Sequence, residues 1–353
     1  MSRLADLTTL KLGGSARRLV AATTEDALVD LVRDADAAGE PLLVLAGGSN
    51  VVVADEGFPG TVVHVLTSGV EREGDTLTVQ AGEPWDPFVE RCVRDRLAGV
   101  ECLSGIPGSV GATPIQNVGA YGQEVSDTVV AVRVLDRTTQ VVETLSPEDC
   151  GFAYRSSVFK RTPGRWVVLA VAFALEPSEV SAPIRYAELA RTLGVEGGER
   201  APLDEVREAV VTLRRRKGMV VDPEDPDSVS AGSFFTNPIL DADAFARLEA
   251  RVAERLGPDQ QVPRWAEPDG RAKTSAAWLI ERAGFTKGHG DAATVAISTK
   301  HTLALTNRGA GSSAQLVALA REIADGVRDA FGVDLHPEPV FVGHEWADDR
   351  HRS

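Results

Sequence analysis

Residues 41–50 read Pro-Leu-Leu-Val-Leu-Ala-Gly-Gly-Ser-Asn, an apolar run that ends in two glycines, a serine and an asparagine. This pattern predicts a buried strand that stops in a glycine turn. Upstream, Leu19–Ala22 predicts another strand. A helical apolar face follows that strand, begins after a capping Thr23 or Thr24 and ends at Gly39. The chain therefore opens with a β-α-β unit.

The turn Gly47-Gly48-Ser49-Asn50 contains residue types that suit a phosphate. Small residues let backbone N–H groups approach a phosphate closely, and the Ser and Asn side chains add donors. An ordinary turn uses the same residues, so the turn alone leaves both readings open. The spacing is not GxGxxG and no helical pattern follows at once, so it does not predict a Rossmann dinucleotide site.

A second glycine-rich stretch, GIPGSVGA (Gly105–Ala112), runs on to QNVGAYG (Gln116–Gly122). Five glycines within these eighteen residues destabilise a fold unless close backbone approach is required. Two such loops in one domain indicate a long ligand that contains phosphate.

The other predicted elements divide the chain into two parts. Pro177 and Pro183 interrupt the regular pattern and predict a domain boundary near residue 178. Further strands are predicted at Thr61–Leu66, Thr76–Ala81, Thr128–Leu135, Gln140–Leu145, Trp166–Leu175, Ala293–Ile297, Thr302–Thr306 and Val340–Val342. Helices are predicted at about Pro87–Leu97, Leu203–Arg216, Ala242–Leu256, Ser275–Ala283 and Ser313–Phe331, with a polar, frayed tail after Gly343.

Length and charge exclude several classes of protein. The 353 residues suit two or three domains, and the formal net charge is −15. A duplex nucleic-acid binder normally shows a basic face, so no nucleic-acid partner is expected, and an anionic substrate would need a local cationic patch. No apolar run approaches the ~18 residues of a membrane span, and the first residues do not form a signal peptide. We expect a cytoplasmic protein that is not inserted in a membrane.

Cysteine and histidine usage predicts no metal site. The three cysteines have no metal-ligand spacing, and their small, odd number fits a reducing cytoplasm. The six histidines are scattered without ligand spacing, and the sequence contains no HExxH, GxSxG or Walker motif.

Three polar residues are distinguished by their neighbours. Arg155 lies in YRSSVFK (Tyr154–Lys160) between predicted strands, and Ser233 lies between a glycine and two phenylalanines. Glu338 is flanked by two prolines beside an apolar strand. Taken singly, a surface arginine, a turn serine and a surface glutamate remain open as interpretations.

Seven stretches in one order resemble the UDP-N-acetylenolpyruvoylglucosamine reductase (MurB) family. They extend over nearly the whole chain, and RYAEL (Arg185–Leu189) resembles the tyrosine-bearing loop of the type I members. The seven are TLKLGG (Thr9–Gly14), LAGGSN (Leu45–Asn50), GIPGSVGATPIQNVGAYG (Gly105–Gly122), YRSSVFK (Tyr154–Lys160), GSFFTNP (Gly232–Pro238), SAAWLIERAG (Ser275–Gly284) and HPEPVFVG (His336–Gly343).

The resemblance implies an α+β protein with a vanillyl-alcohol-oxidase-like (PCMH-type) FAD-binding fold of two subdomains and a C-terminal α+β substrate-binding domain. We place the FAD-binding domain at 1–178 with a split near residue 70, the substrate-binding domain at 179–343 and a polar tail at 344–353. The resemblance also implies non-covalent FAD, NADPH as co-substrate and a UDP-sugar substrate, and we expect a monomer. The residues that it assigns to FAD are Gly47, Gly48, Ser49, Asn50, Gly105, Ile106, Gly108, Ser109, Gly111 and Asn117.

The resemblance further assigns residues to catalysis and to the substrate. The catalytic set is Arg155, Ser233 and Glu338, and the nucleotide-sugar diphosphate is assigned to Tyr186, Lys217 and Asn237. Lys217 ends the basic run 214–217, which would supply the local cationic patch. One position departs from the family pattern, because Val340 stands where an Arg near the flavin is usual.

The implied chemistry is the NADPH-dependent reduction of an enolpyruvyl ether in peptidoglycan precursor synthesis. Hydride adds to C3 because charge then spreads into the carboxylate as an enolate, which the Arg155 fork can stabilise. Glu338 cannot help as an anion, so we hypothesise that it is protonated or shares a proton with a neighbour in the reacting complex. Ser233 is the proposed donor of the C2 proton.

The sequence leaves two alternative functions open. Another flavin oxidoreductase of the same fold, such as a sugar or lactone oxidase, would often attach FAD to a His or Cys. The two predicted pyrophosphate loops contain neither residue, although Cys102 is close by. A non-catalytic nucleotide-sugar sensor would be expected to lose the Arg–Ser–Glu set, which this chain retains.

Overall fold

The computed structural model describes residues 3–346. Residues 347–353 of the predicted polar tail lie outside the described residues. The first part of that tail is held in place, since His344 Nε2 lies 2.8 Å from Ser313 Oγ and the Trp346 ring stacks on Phe341 with centroids 5.8 Å apart. The frayed segment predicted after Gly343 therefore does not begin there, because an aromatic side chain anchors the chain beyond it.

The fold is α+β, and most predicted elements are present with shifted ends. In chain order the strands are β1 (Ala16–Ala22), β2 (Leu42–Leu45), β3 (Val51–Val53), β4 (Phe58–Val65), β5 (Val70–Glu73), β6 (Thr76–Gln80), β7 (Leu97–Ala98), β8 (Gly119–Ala120), β9 (Gln123–Glu124), β10 (Val129–Asp136), β11 (Val141–Leu145), β12 (Trp166–Ala174), β13 (Glu176–Pro177), β14 (Ser230–Ser233), β15 (Ile239–Leu240), β16 (Trp265–Ala266), β17 (Ala272–Lys273), β18 (Val295–Ile297), β19 (Ala304–Asn307) and β20 (Val340–Val342). The helices are α1 (Glu25–Ala37), α2 (Trp85–Arg94), α3 (Pro147–Cys150), α4 (Val158–Arg161), α5 (Ala187–Leu193), α6 (Leu203–Arg216), α7 (Ala242–Leu256), α8 (Ala276–Arg282) and α9 (Ser313–Phe331). No helix within residues 3–346 is both long enough and apolar enough to cross a membrane.

Two compact units contain these elements. Unit 1 comprises Ser15–Gly48, Phe58–Val220 and Arg3. Unit 2 comprises Leu4–Gly14, Ser49–Gly57 and the described part of Val221–Ser353.

Unit 1 begins with the predicted β-α-β unit. Thr24 caps α1, since its hydroxyl accepts the N–H of Ala27 at 3.2 Å. Strands β1 and β2 do not pair with each other, because both pair in parallel with β4 between them. The first of the two larger sheets of this unit ends before residue 70, where β5 begins the second.

The second sheet of unit 1 has the order β11-β10-β12-β6-β5 and is antiparallel throughout. Helix α2 packs there through the rings of Trp85 and Phe88, which contact Phe173 of β12 at 5.9 and 5.3 Å between centroids. Replacing Phe173 by alanine should lower the free energy of unfolding by about 3–5 kcal/mol. Helix α2 starts two residues earlier than predicted and ends at Arg94, so Leu97 belongs to β7 instead.

Residues after 178 continue in unit 1 as far as Val220. Helix α6 packs on α2 and on the 3-10 turn Glu101–Leu103, and its Arg207 forms two hydrogen bonds with Asp86 of α2 at 2.6 and 3.1 Å. This packing explains why unit 1 continues beyond the domain boundary that was predicted near residue 178. The division into cofactor and substrate domains stays a prediction.

Unit 2 combines distant parts of the chain. Strand β3 pairs in parallel with β20, and Asn307 of β19 donates to the carbonyl of Leu10 at 3.0 Å. The sheet β14-β19-β18 and the small sheet β15-β17-β16 are both antiparallel. Helix α9 begins in a capping box formed by Ser312 and Gln315 and buries one face in the core of this unit.

Candidate active site

The two glycine loops of unit 1 touch backbone to backbone. A Cβ atom on Gly47 would lie 2.6 Å from the Cα of Gly108, which is closer than any side chain tolerates. Gly48, Gly105 and Gly108 all have a positive φ, at +56°, +72° and +113°. Glycine is therefore required here both by the backbone conformation and by the close approach of the loops.

Backbone hydrogen bonds hold the second loop in place. Trp85 N–H donates to the Gly108 carbonyl at 3.0 Å, and the N–H of Gly111 donates to Ala81 at 2.9 Å. Ile106 is half-buried and packs against the core of unit 1. The loop therefore presents a fixed set of backbone groups.

Ser109 lies in this loop and is only 4% exposed. Within residues 3–346 its Oγ has no hydrogen-bond partner. A buried hydroxyl without a partner costs free energy unless a ligand or water satisfies it. Together with the glycine contact, this orphaned donor fits the pyrophosphate of a dinucleotide cofactor.

Arg155 and Asn117 are brought together. The Arg155 guanidinium donates to the carbonyls of Asn117 and Gly119 at 3.3 and 2.5 Å, and its backbone has φ of +51°. That left-handed conformation costs a non-glycine residue about 1–2 kcal/mol. Two carbonyls of the glycine-rich stretch thus fix the orientation of the planar Arg155 guanidinium.

Asn117 itself is 1% exposed, and its side chain is engaged inside the protein. Its amide nitrogen donates to Glu124 at 2.7 Å and to the Ala153 carbonyl at 3.3 Å. Its oxygen accepts the N–H of Ser126 at 3.1 Å. These contacts explain how Asn117 supports Arg155, and direct contact with FAD stays a prediction.

Tyr186 and Lys217 approach a third residue, Tyr121. The two tyrosine rings meet edge to face with centroids 5.3 Å apart, and the Lys217 ammonium lies 5.7 Å from the Tyr121 ring centre. Lys217 also pairs with Glu188 at 2.5 Å. Sequence reasoning missed Tyr121 and Glu188, although the first precedes the last glycine of the glycine-rich stretch and the second follows Tyr186 by two residues.

The basic run 214–217 does not form one surface patch. Arg214 is only 7% exposed and donates to the Met219 carbonyl at 2.8 Å, whereas Arg215 and Arg216 are exposed. Burial lowers the pKa of Arg214 to about 10. The cationic patch expected from the sequence is thus split between an internal and an external face.

In unit 2 Ser233 and Glu338 lie on adjacent antiparallel segments. Ser233 ends β14 and is half-buried. The carbonyl of the next residue, Phe234, accepts the backbone N–H of Glu338 at 2.8 Å. Phe235 then pairs with Pro337, and Thr236 N–H donates to His336 at 3.0 Å. Glu338 is half-buried, as expected for a carboxylate between prolines.

Asn50 and Asn237 belong to the same part of unit 2. The Asn50 amide donates to the Glu338 carbonyl at 3.3 Å, and the Asn50 carbonyl accepts the N–H of Val340 at 3.0 Å. Asn237 accepts the N–H of Ala276 at 3.0 Å and thereby fixes the start of α8. Val340 is 51% exposed, so no buried residue replaces the arginine usual at this position.

The cysteines and the possible metal ligands of the described residues are not clustered, and the cysteines are buried. Residues 3–346 contain no cluster of His, Cys, Asp or Glu that could hold a metal ion. Cys92, Cys102 and Cys150 are buried, and burial raises the pKa of the Cys92 and Cys150 thiols to about 12 and that of Cys102 as well. A protonated, buried Cys102 is a poor nucleophile for covalent attachment of a flavin.

Two family models match the chain. Residues 16–145 match an FAD binding domain, and residues 223–342 match the C-terminal domain of UDP-N-acetylenolpyruvoylglucosamine reductase. The first range contains the glycine loops, and the second contains Ser233, Asn237 and Glu338.

Whole-length relatives agree with these matches. The UDP-N-acetylenolpyruvoylglucosamine reductase of Thermobifida fusca is 60% identical over 96% of this chain and 96% of its own length. That of Streptomyces coelicolor is 57% identical over 96% of this chain and 89% of its own length. The crystal structure of the reductase from Thermus caldophilus superposes with a TM-score of 0.65 at 26% identity and covers 97% of both chains. The chain therefore belongs to the UDP-N-acetylenolpyruvoylglucosamine reductase family.

Proposed function

We propose that this chain reduces UDP-N-acetyl-3-O-(1-carboxyvinyl)glucosamine to UDP-N-acetylmuramate with NADPH. The observation that carries the proposal is the match to curated reductases along nearly the whole chain. A sugar or lactone oxidase is disfavoured because the match includes the reductase C-terminal domain, at residues 223–342.

FAD is the cofactor that family membership assigns, and it supplies hydride transfer between NADPH and the substrate. Gly47, Gly48 and Gly108 would hold its pyrophosphate by their backbone N–H groups. The N–H of Gly105 donates to Asp86 at 2.6 Å, so Gly105 would shape the loop by its positive φ. The Ser109 hydroxyl would complete this set, since it is buried and lacks a partner within residues 3–346.

Arg155 would grip the substrate carboxylate. Its planar guanidinium matches a carboxylate in a two-point fork, and the carbonyls of Asn117 and Gly119 fix its plane. As negative charge moves into that carboxylate during hydride addition at C3, the interaction strengthens and lowers the barrier.

Ser233 would then donate a proton to C2. The backbone hydrogen bond from Glu338 to Phe234 keeps the segments that carry Ser233 and Glu338 side by side. Our hypothesis is that Glu338 is protonated, or shares a proton with a neighbour, in the reacting complex, so that it does not repel the enolate, and that water re-supplies the proton of Ser233.

Tyr186, Lys217 and Asn237 would bind the diphosphate of the substrate. In the structure Lys217 pairs with Glu188, so a diphosphate must take over part of that charge interaction. This exchange is favourable because a diphosphate offers several anionic oxygens in place of one carboxylate.

The proposal is tested by incubating the purified protein with NADPH and the enolpyruvyl substrate. We expect NADPH oxidation that depends on the substrate and a product heavier by two hydrogens in mass spectrometry. Matched reactions with the saturated product in place of the substrate should consume no NADPH. Oxidation of NADPH without reduction of the enolpyruvyl group would contradict the proposal.

We also propose that FAD is bound non-covalently, that the protein is a monomer and that it acts in the cytoplasm. The buried Cys102 supports the first statement. Acid precipitation should leave the flavin in the supernatant, and light scattering should give the mass of one chain. Cell fractionation should place the protein with cytoplasmic markers. Flavin in the pellet would overturn non-covalent binding, a dimer mass would overturn the monomer, and a membrane-bound fraction would overturn the cytoplasmic location.

A further inference from the structure

Glu101 is a buried carboxylate with an unusual set of partners. It has no exposed surface and begins the 3-10 turn Glu101–Leu103. One oxygen accepts the N–H of Gly99 at 2.6 Å, and the other accepts the Gln123 amide and the Ala182 N–H, both at 2.9 Å. No Lys, Arg or His nitrogen within residues 3–346 lies within 4.0 Å of it. Three neutral donors therefore offset the cost of burying this group.

The first long-range partner, Gln123, belongs to a hairpin that carries Tyr121. Strands β8 and β9 form this hairpin, and Tyr121 and Gly122 turn at its tip with φ of +50° and +85°. The oxygen of the Gln123 side chain accepts the N–H of Cys102 at 2.8 Å. Both ends of this amide are thus held by the turn that begins at Glu101.

The second long-range partner, Ala182, lies on the loop that leads to Tyr186. The tip of the hairpin packs against this loop, since a Cβ atom on Gly122 would lie 3.4 Å from the Cβ of Arg185. The rings of Tyr121 and Tyr186 then meet edge to face. One oxygen of Glu101 therefore joins the two segments whose tips carry these rings.

We propose that Glu101 is a positioning residue for the nucleotide-sugar end of the substrate. Its carboxylate sets the Tyr121 hairpin and the Tyr186 loop at a fixed distance, and the two rings with the nearby Lys217 form the binding surface. This inference rests on the proposed function for the identity of the ligand. Arg155 should be affected less, because it contacts Asn117 and Gly119 at the base of the hairpin rather than at its tip, and Asn117 also donates to the Ala153 carbonyl outside the hairpin.

Replacing Glu101 by alanine leaves one buried and two half-buried donors without this acceptor. We expect the KM for the enolpyruvyl substrate to rise by about tenfold or more, while kcat changes by less than about threefold. Glu101→Gln keeps one oxygen for Gln123 and Ala182 but turns its NH₂ group towards the N–H of Gly99, so it should restore only part of the affinity.

A matched control separates positioning from general stability. Asp136 is also a buried carboxylate of unit 1, at 1% exposure, and it pairs with Arg165. Asp136→Ala should lower the Tm but leave the KM for the enolpyruvyl substrate unchanged. If Glu101→Ala lowers the Tm and leaves that KM unchanged in the same way, Glu101 is only a structural residue and the proposal fails.

A second readout requires no substrate and no turnover. The chain contains three tyrosines, so protein labelled with 3-fluorotyrosine gives three fluorine resonances. In Glu101→Ala the resonances of Tyr121 and Tyr186 should shift or broaden, and that of Tyr154 should shift least. Unchanged resonances of Tyr121 and Tyr186 would overturn the proposal, whereas a wild-type protein that fails to reduce the substrate would overturn only the proposed function.

If Glu101→Ala does not fold, Gln123→Met decides the question. This variant roughly keeps the size of the side chain and removes both of its hydrogen bonds to the turn, the one to Glu101 and the one from Cys102. The Tyr121 resonance should shift and the KM for the enolpyruvyl substrate should rise. A wild-type KM together with an unshifted Tyr121 resonance would contradict the proposal.

Discussion

Gly47→Ala is the sharpest test of the predicted pyrophosphate site. The added Cβ would lie 2.6 Å from the Cα of Gly108 and 2.9 Å from its carbonyl carbon. Both atoms are backbone, so no side-chain rotation relieves the contact. The two glycine loops must therefore separate.

The required separation sets the size of the effect. Carbon atoms in ordinary contact are about 3.5 Å apart, so the loops must move by roughly 0.9 Å. Hydrogen bonds from both loops to one phosphate cannot tolerate such a shift. Losing two charge-assisted bonds at about 1.5–3 kcal/mol each gives about 3–6 kcal/mol, which is about 10²–10⁴ in the Kd for FAD.

The assay is titration of the apoprotein with FAD, followed by flavin fluorescence, for the variant and a control. Gly197→Ala is the matched control, because a Cβ atom there meets nothing within 4 Å. It should bind FAD like the wild type. Wild-type affinity in Gly47→Ala would show that the pyrophosphate does not lie between these loops.

Four further outcomes are expected. Ser233→Ala should be reduced by NADPH at the wild-type rate yet lose about 10²–10⁴-fold in turnover, because only the later proton transfer is affected; normal turnover would make Ser233 a turn residue. Lys217→Ala should raise the KM for the UDP-sugar with little change in kcat, since the diphosphate contact persists from ground state to transition state, and a loss confined to kcat would contradict this. Native protein should react slowly with a thiol reagent at pH 8, because its three thiols are buried with raised pKa values, and unfolding should release all three; rapid labelling of the folded protein would refute this. The hydrogen bond from Arg165 holds the pKa of Asp136 below its usual value of about 3.9. The stabilisation of the fold by ionised Asp136 is therefore full above that pH and is lost as pH falls through the lower folded-state pKa. The Tm difference between wild type and Asp136→Asn should shrink on acidification below pH 4, and a constant difference would exclude this role.

Local patterns in the sequence predicted most elements of unit 1. The capping Thr24, the apolar periodicity and the stop at Gly39 are all within one helix, so α1 could be identified without tertiary information. The end of α2 was missed because Leu97 continues its apolar face, although the chain turns into β7.

Long-range pairing could not be predicted in the same way. Nothing in Val51–Val53 indicates a parallel partner near residue 340, so the assignment of Ser49–Gly57 to unit 2 required the structure. The same holds for Glu101, whose partners lie 22 and 81 residues further along the chain. An acidic residue beside a cysteine gives no signal of burial in sequence alone.

The site residues depended on the family resemblance rather than on pattern. Arg155, Ser233 and Glu338 each had an ordinary surface interpretation. The structure gives Arg155 a left-handed backbone and two carbonyl partners, and it joins the segments of Ser233 and Glu338. These features are tertiary, since the residues of each contact are far apart in sequence.

Anaerobic stopped-flow absorbance at the flavin band follows both halves of the proposed reaction in one experiment. Mixing the FAD-loaded protein with NADPH should bleach the band, and a second mixing with the enolpyruvyl substrate should restore it in a single turnover with formation of UDP-N-acetylmuramate. A band that NADPH does not bleach, or that stays bleached after the enolpyruvyl substrate is added, would contradict the assignment of this chain as the reductase.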